Sequence, residues 1–407
     1  MPLLLKLAFR NVLRQRRRSI LTGLSMIGGY VLCTYSFSLV DGSYGNIIRI
    51  FTEDRTGHVQ IHKGDYVRRA RIYKTIDDQS KVERVLDSDP HVVSYTPRVY
   101  APALAYAGEK NTPVEVIGID TTREQKTSRL AQKVNEGTWL TTAPDDDGHY
   151  HALVGRGVAD TLKLKSGDQI ILISQGADGS VANDIYVVQG IVGTRESMDK
   201  LNVYLPLAAA QDFLTLQGRV HEYAILLDNI DLAREEAGRL QKLLPSLTVS
   251  PWQEVEETFY KTMESDKEGN NVTLGIVLFI VFIGVLNTVL MSVLERTREF
   301  GVLRAIGSRP LTIASLITLE TSMLAGMSIT AGFVISLPII AWFTWHGFMM
   351  PEPIDLGGVQ FQYMLGEFNV PVFVKPALIL FGYAIAVSIP PGVRAARISP
   401  THAMRTF

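Results

Sequence analysis

The chain is poor in several things, and each shortage excludes something. Its 407 residues include one cysteine, Cys33, so no internal disulfide can form and any folded domain is held by packing alone. The same shortage leaves the redox compartment undetermined. No G-x-x-x-x-G-K-[ST] stretch occurs, so the chain is not itself a P-loop ATPase. Neither H-E-x-x-H nor G-x-S-x-G occurs, which removes the common zinc-protease and hydrolase arrangements. The formal charge of −1 and the 46% apolar content look ordinary for a soluble protein, until one asks where charge is missing.

Charge is nearly absent from four apolar runs, at 19–40, 272–294, about 316–345 and about 376–391. Each of the first three has 20 or more residues, enough to cross ~30 Å of hydrocarbon at ~1.5 Å per residue. The fourth spans only if it is extended back to Val372, giving 372–391. The first run is too long for a cleaved signal peptide, no small-x-small site follows it, and it reads as an anchor that stays in the membrane.

Basic residues set the orientation. Lys6, Arg10, Arg14, Arg16, Arg17 and Arg18 precede the first run, Arg296, Arg298, Arg304 and Arg309 lie between the second and third, and Arg394, Arg397 and Arg405 follow the fourth. The loop 346–371 has no lysine or arginine and carries Glu352, Asp355 and Glu367. The positive-inside rule therefore places both termini in the cytoplasm and the residues between the first two spans outside. Four crossings satisfy this without conflict. Lys6, Arg10 and Arg14 share one helical face while Leu5, Phe9, Val12 and Leu13 take the other, so 1–18 is expected to form an interfacial helix on anionic membrane lipids. A plain positive-inside anchor fits the same residues.

Between the first two spans, 41–270 is long enough for a substantial domain. Alternating or short apolar runs bounded by Gly and Pro predict strands at 58–62, 92–107, 113–119, 168–174, 185–192 and 223–227, with helices at 81–87 and 231–244. The fold class expected is an α-helical membrane protein with four transmembrane helices plus a large α+β extracytoplasmic domain. At the domain's exit, Ser250-Pro251-Trp252-Gln253 predicts a helix start, with Ser as N-cap and Pro in the first turn. One helix would then run from Pro251 through a stalk at 251–270 and the span 271–294, about 65 Å in all, loosened at most around Gly269-Asn270-Asn271. Two candidate metal features, His58 with His62 and the string Asp145-Asp146-Asp147-Gly148-His149-Tyr150-His151, complete no ligand set of defined spacing, and read as a solvated strand and a polar loop.

The segment ERTREFGVLRAIGSRP, 295–310, is charged yet lies between two spans. Taken as a helix, it puts Phe300, Leu303 and Ile306–Gly307 on a short apolar ridge beside Val302, with Glu295, Arg296, Arg298, Glu299 and Arg304 around it. Such a helix could lie on the membrane or dock its ridge in a partner's groove. Glu320, inside the third run, is a functional candidate as an intramembrane carboxylate. Its place near the cytoplasmic helix start equally suits the helix dipole or a pair with a loop arginine.

LNTVLMSVLERTREFGVLRAIGSRPLTI (286–313), LAFRNVLRQRRRSILTGLSMIGG (7–29), PPGVRAARISPTHAMRTF (390–407), VGRGVADTLKLKSGDQIIL (154–172) and VYLPLAAAQDFL (203–214) together resemble the MacB/FtsX/Lol-type (type VII) ABC transporter permeases. GHVQIHKGDY (57–66) resembles the lipoprotein-releasing LolC/LolE branch. The resemblance implies a permease paired with a second copy, as homodimer or heterodimer, on a cytoplasmic ABC ATPase dimer. Because only 18 residues precede the first run, that ATPase is expected to be another chain. ATP and Mg would bind there, with no cofactor or metal in this chain, no catalytic residue and no nucleic-acid partner. Glu295, Arg296, Arg298, Glu299, Phe300, Gly301, Val302, Leu303, Arg304, Ala305, Ile306 and Gly307 would form the coupling helix that the ATPase moves, and the motion would reach the outer domain (mechanotransmission). The implied location is the bacterial inner membrane.

In one permease type of the lipoprotein-releasing branch a hairpin recruits a periplasmic carrier. The matching stretch is Ser174, Gln175, Gly176, Ala177, Asp178, Gly179 and Ser180, which is short, polar and without the bulky residues a docking hook needs. The expected function is extraction or export of a lipoprotein or hydrophobic substrate. The alternative is an FtsX-like relay that activates a periplasmic cell-wall hydrolase without transport. A membrane enzyme is remote, given the missing catalytic motifs.

Overall fold

In a computed structural model of the protein, residues 2–14, 16–356 and 359–397 are described. Arg405 and the closing motif from 398 onward lie outside the described residues. The chain divides into two compact units, residues 1–45 with 263–350 and 363–407, and residues 46–262 with 351–362.

The first unit is helical. α1 (Pro2–Arg14) precedes α2 (Arg16–Phe51); α3 (Glu257–Glu295), α4 (Thr297–Ala305), α5 (Pro310–His346) and α6 (Val370–Ala396) follow. Among the described residues four helices are long and apolar enough to cross a membrane, α2 with its continuation to Thr56, α3, α5 and α6. They pack through Met26, Tyr30 and Cys33 of α2, Leu278 and Val285 of α3, Ala325 of α5, and Leu380 and Ala384 of α6. Small residues admit close approach: a Cβ on Gly332 would sit 2.8 Å from Tyr30 Cδ1. The Tyr30 hydroxyl donates to the Phe373 carbonyl at 3.1 Å, so a polar tip between spans is satisfied.

These helices outrun the apolar runs that announce them. α2 begins at Arg16 and continues beyond residue 40, and its polar part is bonded to α3. Ser36 Oγ donates to Asn270 Oδ1 at 2.9 Å, and the Tyr44 hydroxyl to Asp266 Oδ2 at 2.8 Å. Asn270 is thus held by a partner, and α3 runs unbroken through Gly269-Asn270-Asn271. The expected interfacial helix over 1–18 is shorter, because Arg16–Arg18 already belong to α2.

The expected helix start at Ser250-Pro251 is corrected. Both residues lie in a strand, one turn covers Trp252–Val255, and Glu256 breaks the helix (φ −101°, ψ 48°) before α3 begins. The rod is α3 alone, 39 residues or about 58 Å. Sheet pairing of Val59 with Pro251 overrides the local capping pattern.

The second unit is built on ten strands: β1 (Val59–His62), β2 (Val92–Ala107), β3 (Lys110–Ile119), β4 (Val134–Gly137), β5 (His151–Gly155), β6 (Gln169–Gln175), β7 (Val181–Val192), β8 (Asn202–Pro206), β9 (Glu222–Leu227) and β10 (Thr248–Pro251). Their order is β10-β1-β9-β2-β3-β8-β5-β7-β4, and β6 pairs with β2 and β7. The β3–β8 and β5–β7 pairs are parallel. Alternation aims Val99, Ala101 and Ala105 of β2 into the core. Short helices at Gln79–Asp87, Thr121–Thr127, Arg156–Leu162, Leu207–Phe213 and Ala233–Leu243 complete it. Two start on aspartate caps: Asp78 accepts from Lys81 N, and Asp120 from Thr122 N and Arg123 N, each at 3.0 Å.

His58 and His62 are buried rather than solvated. His58 Nδ1 accepts from Leu227 N at 3.0 Å, and burial pushes both imidazoles down to about 4. The 346–371 loop also differs from expectation: β11 (Phe348–Leu356) pairs with β12 (Val359–Met364) as a hairpin.

Candidate functional site

The loop between the second and third spans is a folded device. α3 ends at Glu295, and Arg296 leaves helical geometry (φ −101°, ψ 13°) before α4 begins. α4 closes with Ser308 N bonding Leu303 O at 3.0 Å and Gly307 at φ 96°, a left-handed position that favours glycine. Pro310 then sits in the first turn of α5, where its missing N–H costs nothing.

Two inward anchors fix α4 to the bundle. Phe300, 1% exposed, packs with Val293, Ile313, Ile317 and Ala395. Arg296 lies over the Phe300 ring at 5.0 Å, donates through Nε to Glu299 at 2.9 Å, and reaches Glu320 through Nη1 at 2.8 and 3.1 Å. Glu320 therefore pairs with a loop arginine, and it also accepts from Asn11 Nδ2 at 2.6 Å. No separate chemistry is needed to account for this carboxylate.

The outward side differs from the expected ridge. Phe300 does not share a free face with Leu303 and Ile306, because it points into the bundle. The exposed apolar group is Val302, Leu303 and Ile306, the last 78% exposed, beside exposed Arg298. A groove of about 490 Å³ runs between Leu303, Val302, Leu316 and Leu7 of α1. Gly301 is buried and Ala305 exposed. Arg304 bends back to the Ser308 carbonyl at 3.1 Å.

Sequence reasoning missed the part α1 plays. Besides Asn11, Arg14 lies 3.5 Å from Glu299, and Arg18 at the start of α2 grips Glu295 with two bonds of 2.7 and 2.5 Å. The signal was present: an asparagine sits in an amphipathic helix, and the arginine cluster faces a loop that carries two glutamates. The sequence alone assigns Arg14 to anionic lipid headgroups and both arginines to orientation, not to the loop glutamates.

The 174–180 hairpin is a compact turn. Gly176 N bonds Ser180 O at 2.9 Å, and Asp178 Oδ1 accepts from Ser180 N and Oγ at 3.0 and 2.6 Å. Ser174 and Gln175 end β6, and Ser174 Oγ donates to Pro102 O at 2.7 Å. Ala177 N bonds Leu214 O at 2.8 Å, which ties the tip, with Gly179 at its left-handed corner, to the domain. Among the described residues no group of three or more His, Cys, Asp or Glu is placed to hold a metal.

Residues 19–241 match the MacB-like periplasmic core domain, and residues 271–396 match the FtsX-like permease C-terminal. The chain belongs to the MacB/FtsX/Lol-type ABC transporter permeases. It is 24% identical over 339 residues to the lipoprotein-releasing system transmembrane protein LolC of Xylella fastidiosa (78% of this chain, 79% of the relative). It is 22% identical over 343 residues to LolE of Haemophilus influenzae (81% of each). Macrolide export ATP-binding/permease protein MacB 2 of Yersinia pestis bv. Antiqua matches at 25% over 82% of this chain but half of its own length. The periplasmic region of MacB from Actinobacillus actinomycetemcomitans aligns with a TM-score of 0.36 at 17% identity, covering 49% of this chain and 91% of that one. The permease is thus a four-span membrane protein with a large α+β, MacB-like periplasmic domain.

Proposed function

We propose that the permease transmits the work of ATP hydrolysis, performed by a separate cytoplasmic ABC ATPase, to its periplasmic domain, and so extracts or exports a lipoprotein or other hydrophobic substrate. The observation that carries the reading is the two-sidedness of α4. Phe300 and the Arg296–Glu320 pair hold it to the bundle, while Val302, Leu303, Ile306 and Arg298 face outward. An apolar ridge on a helix anchored at its back suits a soluble partner's groove, and a docked partner that moves would move α3 and α5 with it. α3, uninterrupted from Glu257 to Glu295, supplies a stiff element for the transfer.

In this reading ATP and Mg are bound by the ATPase, the permease pairs with a second copy or a related chain, both termini lie in the cytoplasm, and the membrane is the bacterial inner membrane. Relatives named as lipoprotein-releasing that align over about four fifths of both chains support the substrate class. The test is reconstitution of the permease with its ATPase. Replacing Val302, Leu303 and Ile306 by serine should abolish the permease-dependent change in ATPase rate while the protein still inserts. Unaltered coupling would reject the docking assignment. In cells, lipoproteins retained in the inner membrane would support transport, whereas chained cells with normal lipoprotein sorting would point to the FtsX-like relay.

A further inference from the structure

The periplasmic domain holds a cleft of about 760 Å³ that the coupling reading does not use, within the range of small-molecule sites. One wall is the face of β1, β2 and β3. Another is the segment after β1, where Tyr66 stacks on His221 at 5.2 Å and the Ile72 carbonyl meets His221 Nε2 at 2.9 Å. The turn at Val255–Glu256, where the helix breaks ahead of α3, contributes further lining. The lining is largely apolar, with Val67, Ile72, Pro102, Val114, Leu201 and Val255.

Of the polar groups in it without a hydrogen-bond or ion-pair partner among the described residues, which include the Tyr66 hydroxyl, two bear on a ligand. Gln60 on β1 is 5% exposed and lines the cleft, yet its side-chain amide has no hydrogen bond among the described residues. Its amide atoms are open to the cleft rather than sealed in the core, so a ligand's hydrogen-bonding group would meet them there. Glu256 is the second. The other carboxylates are matched: Glu115 lies 3.6 Å from Arg55, and Glu222 accepts from the Tyr100 hydroxyl at 2.8 Å and lies 3.8 Å from Arg98. Glu256 has no ion pair within 4 Å among the described residues. Burial raises its carboxyl above the usual range, and the field of Arg55 opposes this only in part. Arg71, the remaining cation of the lining, is exposed to solvent, where its field is screened.

We infer that this cleft binds a small amphipathic molecule carrying a protonated amine. The amine pairs with Glu256, a hydrogen-bonding group further along meets Gln60, and the apolar body lies against Val67, Ile72 and Val114. The inference concerns the β-rich unit alone and stands whether or not α4 docks an ATPase, so its failure and that of the coupling reading are separable.

The test uses the full chain in detergent, with cysteine introduced at exposed Ala70 in the cleft lining; native Cys33 is buried and should not label. Maleimide labelling is measured against 4-phenylbutylamine, 4-phenylbutanol and 4-phenylbutyrate, which share a body and differ in charge. The amine should slow labelling at concentrations at least tenfold below those the alcohol or acid requires. Glu256→Gln should erase that preference, and Gln60→Leu should weaken protection by 4-amino-1-phenylbutanol, which adds a hydroxyl, more than by the plain amine. Equal protection by all three probes, no protection, or an amine preference that survives Glu256→Gln in a variant with wild-type gel-filtration behaviour would overturn the inference.

Discussion

Phe300 separates the inward side of α4 from the outward side, and Phe300→Ala is the sharpest perturbation of the account. The ring is 1% exposed among Val293, Ile313, Ile317 and Ala395. Truncating a phenylalanine in such a setting costs about 3–5 kcal/mol. Loss of the Arg296 contact over the ring face adds about 0.5–1 kcal/mol. α5, which follows α4, has a large interface of its own with α6, so the loss should fall on the docked state of α4 and not on the whole bundle. At ~1.4 kcal/mol per factor of ten, amide exchange across Thr297–Ala305 should quicken by at least about a hundredfold, with little change in α5. The serine triple at Val302, Leu303 and Ile306 removes exposed groups and should leave exchange within a few-fold of wild type. Hydrogen exchange read by mass spectrometry distinguishes the two. Wild-type exchange of α4 in Phe300→Ala would refute the argument that this ring anchors the helix.

Glu320→Gln removes the carboxylate that Arg296 and Asn11 share; Arg296 keeps Glu299, so the expected cost is about 1–3 kcal/mol in thermal unfolding. A double-mutant cycle with Asn11→Ala should show coupling, and strict additivity would contradict a shared site. His58 and His62 favour the neutral form in the fold, held at about 4 against 6.5 when unfolded. The unfolded chain therefore gains protons first, and the stability these residues contribute above pH 6.5 is lost as pH falls towards 4. At the limit the loss is about 3 kcal/mol for each histidine. His62→Gln should flatten the fall in stability across that window, and an unchanged slope would show that His62 does not carry it. A Gly/Ser insertion after Gly269 should uncouple ATPase rate from transport without lowering expression, because a flexible segment does not transmit force; undiminished transport would remove the role given to α3.

Legibility in the sequence followed how local the deciding interactions are. β2 is readable over Val92–Ala107 as one long run of apolar and strand-forming residues ended at Gly108, although the consecutive burial of Thr96, Pro97, Arg98 and Val99 breaks simple alternation. The spans were readable from missing charge, but their ends were not. Ser36–Asn270 and Tyr44–Asp266 extend α2 and steady α3 through contacts more than 200 positions apart. Ser250-Pro251 misled because β10 is an edge strand, where a proline's missing N–H is tolerated and the capping pattern is overruled by pairing with β1. Helical spacing alone put Phe300 on the same ridge as Leu303; which side meets the bundle depends on Val293, Ile313 and Ala395, and spacing does not encode that. The roles of Asn11, Arg14 and Arg18 went unseen for the same reason.

The most direct test of the central claim is a cross-link at Ile306. A cysteine there, at the C-cap of α4 and the most exposed apolar residue of 295–310, carries a short thiol-reactive cross-linker in inner-membrane vesicles of defined sidedness. The account predicts that it links to an ATP-hydrolysing subunit from the cytoplasmic face, with a yield that changes on adding ATP. Labelling of that cysteine by an impermeant reagent from the periplasmic side, or a yield indifferent to nucleotide with no ATPase attached, would contradict it.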